Sequence, residues 1–445
     1  MADLVQFVDS ISSSPTVRLD LNDEISFWVK SFSAPPPRLR RSMASNAMRD
    51  GISVGSSNYD GRTLTMEIEC RKPNQDAAAV EMQKLWRELD RPTNLIRYHP
   101  QGASKPVFFR TFRSDASQLA DVVAQAAMRT FTIEVLAEPF ALGLRETLGP
   151  YTVNNDPAAA SGALKFTIPM ANALGDVPAP FLASATTGST AKGVWFATGT
   201  PTIAQAEACS LGIDTTNPGG GPDAAMSGTG TNNYVTTSFS TNAAMVQRLQ
   251  TPTTLFGLYR VAAVVRRSDA TSVFTARAAV PSFGVVGDTV TIPLTTNRQV
   301  VDLGIIRVGS ATEILDYSYT ATGASTNGAV QAARTSGSGS LQWDALLFLP
   351  VDSQFLVAEF GTARMVSIDS ATQSVVGAVG NLLTGSAVSE KAAVAGGFPV
   401  IQPAVDNTFT WVHQAARLES HTKAAAISVT VYYHPQYLFV RPVSS

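Results

Sequence analysis

Between Arg62 and Cys70 apolar and polar side chains alternate without interruption. Leu64, Met66, Ile68 and Cys70 take one side, and Thr63, Thr65, Glu67 and Glu69 the other. A period of two sustained over this length predicts a half-buried antiparallel strand. Asn58-Tyr59-Asp60-Gly61 just before it reads as a turn, with Gly61 available for a positive φ. After Lys72-Pro73-Asn74 the period changes. From Asp76 to Asp90, Ala78, Met82, Leu85, Trp86 and Leu89 recur at spacings of three and four, which is one helical stripe. Asn74 or Asp76 can cap its start, and Pro92 forbids much continuation. Leu95–Tyr98, Val107–Phe112 and Phe131–Val135 then fit the strand template again. This part of the chain predicts a β-barrel or sheet with one packed helix.

Further along, the strand signals repeat and helical ones are sparse. Leu164 to Pro180 reads as strand, turn, strand: an apolar-rich run meets Gly175-Asp176, and Pro178 and Pro180 hold an extended exit. Lys192–Ala197, Tyr259–Val265, Val290–Leu294 and Gln299–Ile306 are strand candidates, with Pro293 confining the third to an edge. Leu341–Leu349, Gln354–Phe360 and Ala426–Tyr433 complete the set, the last with Ile427, Val429, Val431 and Tyr433 on one side. Asn217–Pro222 and Ala321–Gly339 are low in complexity and read as long surface connections. Short strands with small-residue loops predict a C-terminal β-sandwich, jelly-roll or galectin-like.

Composition supplies a boundary. At 445 residues the chain exceeds one ordinary core, so two domains or three are expected. The first 150 residues hold 18 basic and 18 acidic side chains, whereas the remaining 295 hold only 15 and 17. The expected division is therefore 1–150 and 151–445, with room for the last strand to return to the first domain. The overall balance of 33 Lys+Arg against 35 Asp+Glu carries no basic excess, which argues against nucleic-acid recognition or an anionic membrane surface. The longest apolar cluster, Ala345–Val351, is far shorter than the roughly 20 residues of a membrane span. The first ten residues lack a basic n-region and a continuous apolar core, so a soluble chain made in the cytoplasm without a signal peptide is expected. Cys70 and Cys209 fall on either side of the boundary, which speaks against a shared disulfide.

Catalytic signatures are missing. There is no G-x-x-x-x-G-K-[ST], G-x-S-x-G, H-E-x-x-H or C-x-x-C, and Gly228-Thr229-Gly230 and Gly337-Ser338-Gly339 read as linker glycines. His99, His413, His421 and His434 do not form a metal pair, since the spacing of His413 and His421 would require an implausibly long strand. Asp344, Asp352 and Glu359 are the best carboxylate set for glycoside hydrolysis, set against a plain strand-end role. No cofactor, metal or enzyme activity is expected. Two binding readings stay open. Trp195, Trp343 and Trp411 could stack on a sugar ring or simply fill the core. Arg38, Arg40 and Arg41, with Arg49 nearby, follow the stiff run Pro35-Pro36-Pro37 and form either a contact for an acidic neighbour or nucleic acid, or a solvated loop.

One family resemblance joins these pieces. The strand ending in Ile168, followed by Asn172-Ala173-Leu174-Gly175-Asp176-Val177-Pro178-Ala179-Pro180 and preceded by Glu138-Pro139-Phe140, resembles the distal tail proteins of long-tailed (siphovirus) phages. The sheet-and-helix first domain, the phrase around Trp343-Asp344 and the ending Val429-Thr430-Val431-Tyr432-Tyr433-His434-Pro435-Gln436-Tyr437-Leu438 fit the same order. The resemblance implies a structural virion protein of the tail tip: a homo-oligomeric, hexameric ring hub joining the tail tube protein to tip or baseplate proteins. N-terminal strand edges would mediate its contacts. The long second half departs from simpler members and could add a host-saccharide or docking surface. The alternatives are a carbohydrate-binding β-sandwich acting in host recognition and, behind it, a tail-associated glycan hydrolase.

Overall fold

The computed structural model describes residues 3–45, 52–114, 128–159, 161–216, 226, 234–240, 245–255, 257–281, 284–308, 327–351, 355–379, 388–414 and 426–439. The fold is mostly β, with one long α-helix. The first sheet is built from β1 (Leu4–Val8), β2 (Val17–Asp20), β3 (Phe27–Ser33), β6 (Arg62–Arg71), β7 (Thr93–His99), β8 (Val107–Phe112) and β9 (Met128–Ala137). Their order is β2-β1-β7-β8-β9-β6-β3, and every pairing is antiparallel. Between β3 and β6 the chain makes a separate ribbon of β4 (Leu39–Ser45) and β5 (Ile52–Tyr59). The alternation in β6 is realised as expected, since Leu64, Met66, Ile68 and Cys70 are wholly buried. Glu69 departs from it: its carboxylate is also buried, held by Lys30 at 3.0 Å and by Arg71.

The helix α1 (Gln75–Leu89) starts where Asn74 accepts a hydrogen bond from the Ala77 amide. It buries Ala78, Met82, Leu85 and Leu89, while Trp86 is half-buried against the same core. That face packs on β2 and β6, strands at or next to opposite ends of the sheet order. Phe32 of β3 also stacks on Tyr98 of β7 with ring centroids 4.3 Å apart. The sheet therefore curls into an open barrel whose ends are bridged by the helix.

The second half is organised around one very long strand. After β10 (Ala141–Leu142), β11 (Glu146–Asn154) and β12 (Lys165–Ile168) comes β13 (Phe181–Thr198). On one edge, Phe181–Thr187 of β13 pairs with the strand Ala426–Tyr433, and Gly193–Thr198 pairs with Asn407–Gln414. On the other edge runs the strand Phe355–Asp369, whose pairing slips between Thr186 and Gly193. Each long strand thus serves both layers of a sandwich. Between the layers lie Phe181, Phe196, Phe409 and Trp411, ring against ring at 5.2–6.1 Å, with Ile427, Val429, Val431 and Tyr433 beneath.

Residues 202–350 leave this sandwich and form two further sheets with their own core around Phe274, Leu249, Trp343 and Phe348. The strand Leu341–Pro350 is central to one of them and buried on both faces. Its Ala345, Leu347 and Leu349 meet Trp195, Ala197, Phe355 and Val412 of the β13 sandwich in a shared apolar contact. The strand expected over Val290–Leu294 is confined to Val290–Thr291 and pairs with Val273–Val280 only, stopping before Pro293. The Leu164–Pro180 stretch also differs from strand-turn-strand. After β12 it makes a short 3-10 turn, and its exit forms single bridges from Val177 to Gln436 and from Ala179 to Ile401. Pro178 and Pro180 have no N–H to extend a ladder.

The exit turn clasps the end of the chain. The Asp176 amide donates to Gln436 O at 2.8 Å, and the Leu438 amide donates to the Asp176 carboxylate at 3.0 Å. Gly175 has φ +121°, and a Cβ there would lie 3.0 Å from Gln436 O, so a side chain is doubly excluded. Gln436–Tyr437 then pairs with β10 in the first sheet. Beneath it the buried Arg62 donates to Pro139 O at 2.7 Å, to Leu438 O at 3.2 Å and to Tyr437 O at 3.4 Å. Burial drags its guanidinium down to about 10, still charged at neutral pH. Arg62→Ala is expected to lower the unfolding free energy by about 2–4 kcal/mol in chemical denaturation. It should also speed hydrogen exchange at the Gln436 and Tyr437 amides, and unchanged exchange there would show that the guanidinium does not hold the return.

Candidate assembly surface and junction cleft

Among the described residues β2 pairs only with β1, and β3 only with β6, so the first sheet ends in two open edges. Unpaired N–H and C=O groups along such edges are templates for another strand. Apolar side chains stand at both: Val17 on β2 and Trp28 on β3 are exposed. The Trp28 ring lies 4.7 Å from the Arg71 guanidinium, which orders it without covering it.

The β4–β5 ribbon follows β3 directly and pairs with no other described strand. Its base is tied down by the Asp60 amide donating to Arg38 O, by an Arg40–Asp60 ion pair of 2.6 Å and by Tyr59 edge-on to Phe140. Arg38 and Arg41 are exposed, while Arg49 lies outside the described residues. An isolated two-stranded ribbon is marginal in water, so its pairing calls for a second surface.

A different feature opens where the first sheet meets the β13 sandwich. Two adjoining hollows, of about 540 and 290 Å³, share Arg110, Glu138, Arg145 and His434 as walls. Arg145 lies over the Tyr432 ring at 4.2 Å. His434 Nδ1 donates to Gly143 O at 3.0 Å, and burial, with Arg110 and Arg145 nearby, lowers the pKa of the ring. Thr111, almost wholly buried, lines the larger hollow. Sequence reasoning had no handle on this cleft, because its residues come from positions 18, 110, 145 and 434 and no local pattern links them.

The residues singled out from sequence are placed as follows. Trp343 and Trp411 are wholly buried in the two sandwich cores, Trp343 Nε1 donating to Thr237 Oγ1 at 2.8 Å. Trp195 sits in the contact between the sandwiches, with the Arg260 guanidinium 5.7 Å from its ring. Stacking on a sugar needs an exposed ring face, and none of the three presents one here. Asp344 is wholly buried and ion-paired with Arg298 at 2.5 Å; Glu359 lies on the strand Phe355–Asp369, and Asp352 falls outside the described residues. A carboxylate already neutralised out of reach of solvent is poorly placed for acid–base work. His99 Nε2 is 2.8 Å from Ala103 O and His413 is buried, while His421 and the Asn217–Pro222 loop lie outside the described residues. Cys70 and Cys209 are both buried, and no disulfide joins them. Among the described residues no group of three or more His, Cys, Asp or Glu is placed to hold a metal, and no helix is long and apolar enough to cross a membrane.

No protein-family profile matches the chain, and no curated protein matches it. Among solved structures it is similar to the crystal structure of the phage SPP1 Dit protein (gp 19.1), described as a paradigm of the hub adsorption apparatus in phages infecting Gram-positive hosts. That match has 9% identity and a TM-score of 0.36, over 99% of this chain and 100% of that one. Chains of the phage p2 baseplate in its activated conformation also match. The strontium form has 8% identity and a TM-score of 0.25, over 77% of this chain and 98% of that chain. The calcium form has 7% identity and a TM-score of 0.25 over the same shares. Superpositions this loose carry no argument about function.

In the isolated chain the β4–β5 amides should exchange with solvent at least about a hundredfold faster than those of β6, because among the described residues the ribbon pairs with no other strand. Hydrogen-exchange mass spectrometry reads this directly. Equal protection of the two strands would show that the ribbon is stable alone and needs no partner.

Proposed function

We propose that the chain is a structural protein of a phage tail tip that assembles through its N-terminal domain, residues 1–150, into a closed ring joining the tail tube to tip or baseplate proteins. The observation that carries this reading is the pair of open, apolar-flanked edges β2 and β3 on one curled sheet, with the unsupported β4–β5 ribbon beside β3. Two different edges on one protomer favour a head-to-tail contact, β2 of one copy facing β3 of the next, and such contacts close into rings when the rotation allows. The sequence resemblance to distal tail proteins supports the same reading. The exposed Arg38 and Arg41 at the ribbon's base would meet an acidic neighbour in the ring or tail.

The second half, residues 151–445, acts in this proposal as a rigid outward body. Its β13 sandwich carries the 202–350 segment as an added sandwich held by the shared apolar contact. Saccharide display draws no support from Trp195, Trp343 or Trp411, and structural assembly remains the better reading.

Light scattering after size exclusion, with negative-stain images of the same peak, tests the ring. A closed species of about six copies is expected from the purified chain, alone or with a tail-tube neighbour. Replacing Leu39–Tyr59 by a short Gly-Ser linker should leave a folded protomer and shift the population to monomers. A monomer under both conditions, or a ring unaffected by loss of the ribbon and by Trp28→Glu, would overturn the proposed assembly.

A further inference from the structure

We propose that His434 is an acid-sensitive latch on the return of the last strand: when its ring takes up a proton, residues 435–438 are released from β10 and the two halves of the chain come apart there. His434 is the residue at which the chain leaves the strand Ala426–Tyr433 for the first sheet. Its Nδ1–H donates to Gly143 O at 3.0 Å, and the next residue answers, Pro435 O accepting from the Gly143 amide at 2.8 Å. The clamp is tight. A Cβ on Gly143 would lie 3.0 Å from the Tyr437 ring and 3.4 Å from Pro435, so the ring of His434 cannot shift without moving the return. What it holds is short, since β10 meets the return only through Ala141 with Tyr437 and Leu142 with Gln436.

Protonation leaves the bond to Gly143 O in place, because an imidazolium still donates from Nδ1. The opposition comes from charge. A proton on Nε2 makes the half-buried ring a third cation beside Arg110 of β8 and Arg145 of the link between β10 and β11. Glu138, in the bend between β9 and β10, is the one carboxylate that shares both hollows with them, one against two. The remaining charged groups around the ring are occupied. Asp369 accepts from the Ala371 and Thr372 amides, Asp9 from Ser10 and Thr16, and Asp176 from the Leu438 amide. Glu146 is ion-paired with Lys105 at 3.1 Å, and Arg18 with Glu88. Tyr433 stays un-ionised, since burial pushes its pKa up to about 12.

The direction of the response follows. Burial first, and the two guanidinium groups second, hold the ring's pKa below its ordinary value of 6.5. A group whose folded pKa is depressed lends stability above its free value and loses it as pH falls. The neutral ring therefore keeps the return closed above pH 6.5, and mild acid opens it. Arg62, the other side chain that holds this segment, stays charged throughout that range and supplies no such dependence.

Hydrogen-exchange mass spectrometry of the full chain at about pH 7.5 and about pH 5.5, corrected for the intrinsic rate at each, tests the latch. Opening at the Gln436 and Tyr437 amides should rise by about threefold to tenfold at the lower pH, about tenfold being the ceiling for one imidazole that titrates normally once released. The β6 amides should keep their protection. His434→Asn sets an amide donor where Nδ1–H stands and cannot titrate, so its return should stay closed at both pH values. Arg110→Gln/Arg145→Gln removes the opposing charge from two exposed side chains and should shrink the rise. Deuteration at the imidazole C2 of the parent chain reads the ring's titration without any substitution, and its midpoint should fall below 6.5. A midpoint at or above that value, opening that is equal at both pH values, or a rise that persists in His434→Asn would overturn the proposal. Equal loss of protection in β6 would do the same, by showing general acid unfolding.

Discussion

The buried guanidinium of Arg62 is the point on which the relation between the two halves of the chain depends. Its bonds end on carbonyls of Pro139, in the bend between β9 and β10, and of Tyr437 and Leu438, at the far end of the sequence. A cation removed from water at such a place must be answered by oriented dipoles, and carbonyls from only one segment would leave it underserved. The chain therefore has to come home. Asp176 reinforces the return from the opposite side, using its amide toward Gln436 and its carboxylate toward Leu438.

A consequence follows for the free surfaces. The returning residues pair with β10, which is hydrogen-bonded to β8 in the interior of the sheet order. Neither β2 nor β3 is used. The first sheet thus closes its connection to the rest of the molecule while, among the described residues, both terminal edges stay unpaired and open to the contact proposed above. The same return carries His434 and Gln436 against Arg110 and Arg145, so the cleft exists only because the last strand crosses back.

The parts legible in the sequence were those with a local period. Strand β6, helix α1 with its Asn74 cap, and the strand Ala426–Tyr433 could be read because each buries one face, and burial of one face imposes a period of two or of 3.6. The central strand Leu341–Pro350 was legible as a strand over Leu341–Leu349, but from its apolar run and not from a period, so its two-sided role was not. Leu341–Pro350 is buried on both faces, so its residues show an apolar run without alternation, and nothing in the run says that one face serves its own core and the other a neighbouring sandwich. The eighteen-residue length of β13 was visible only as the fragment Lys192–Ala197, since Ser, Thr and Gly fill its middle where the pairing slips. Candidate site residues fared according to chemistry. Tryptophans in strand patterns carry no mark distinguishing a ring that stacks on a ligand from one that fills a core, and here all three are covered. The arginines of the cleft had no signal, because Arg110 and Arg145 look like ordinary outward residues until the fold sets them beside His434.

The inserted segment 202–350 bears on what the second half can do mechanically. It is joined to the β13 sandwich by the two connections that leave and re-enter it and by an apolar patch in which Trp195, Phe355 and Val412 meet Ala262, Val264 and Leu347. The Arg260 guanidinium, ion-paired with Asp302, lies within 5.7 Å of the Trp195 ring and 5.2 Å of the Phe355 ring, closing the side of that patch. Small alanines on the inserted side let the two backbones approach, and the large rings on the other side fill the remaining space. An interface of this composition resists sliding, because displacing a ring from an alanine-lined recess opens a void that neither side can fill. Force applied at one sandwich would therefore be transmitted to the other as a rigid load, and from there through the Arg62 junction to the first sheet.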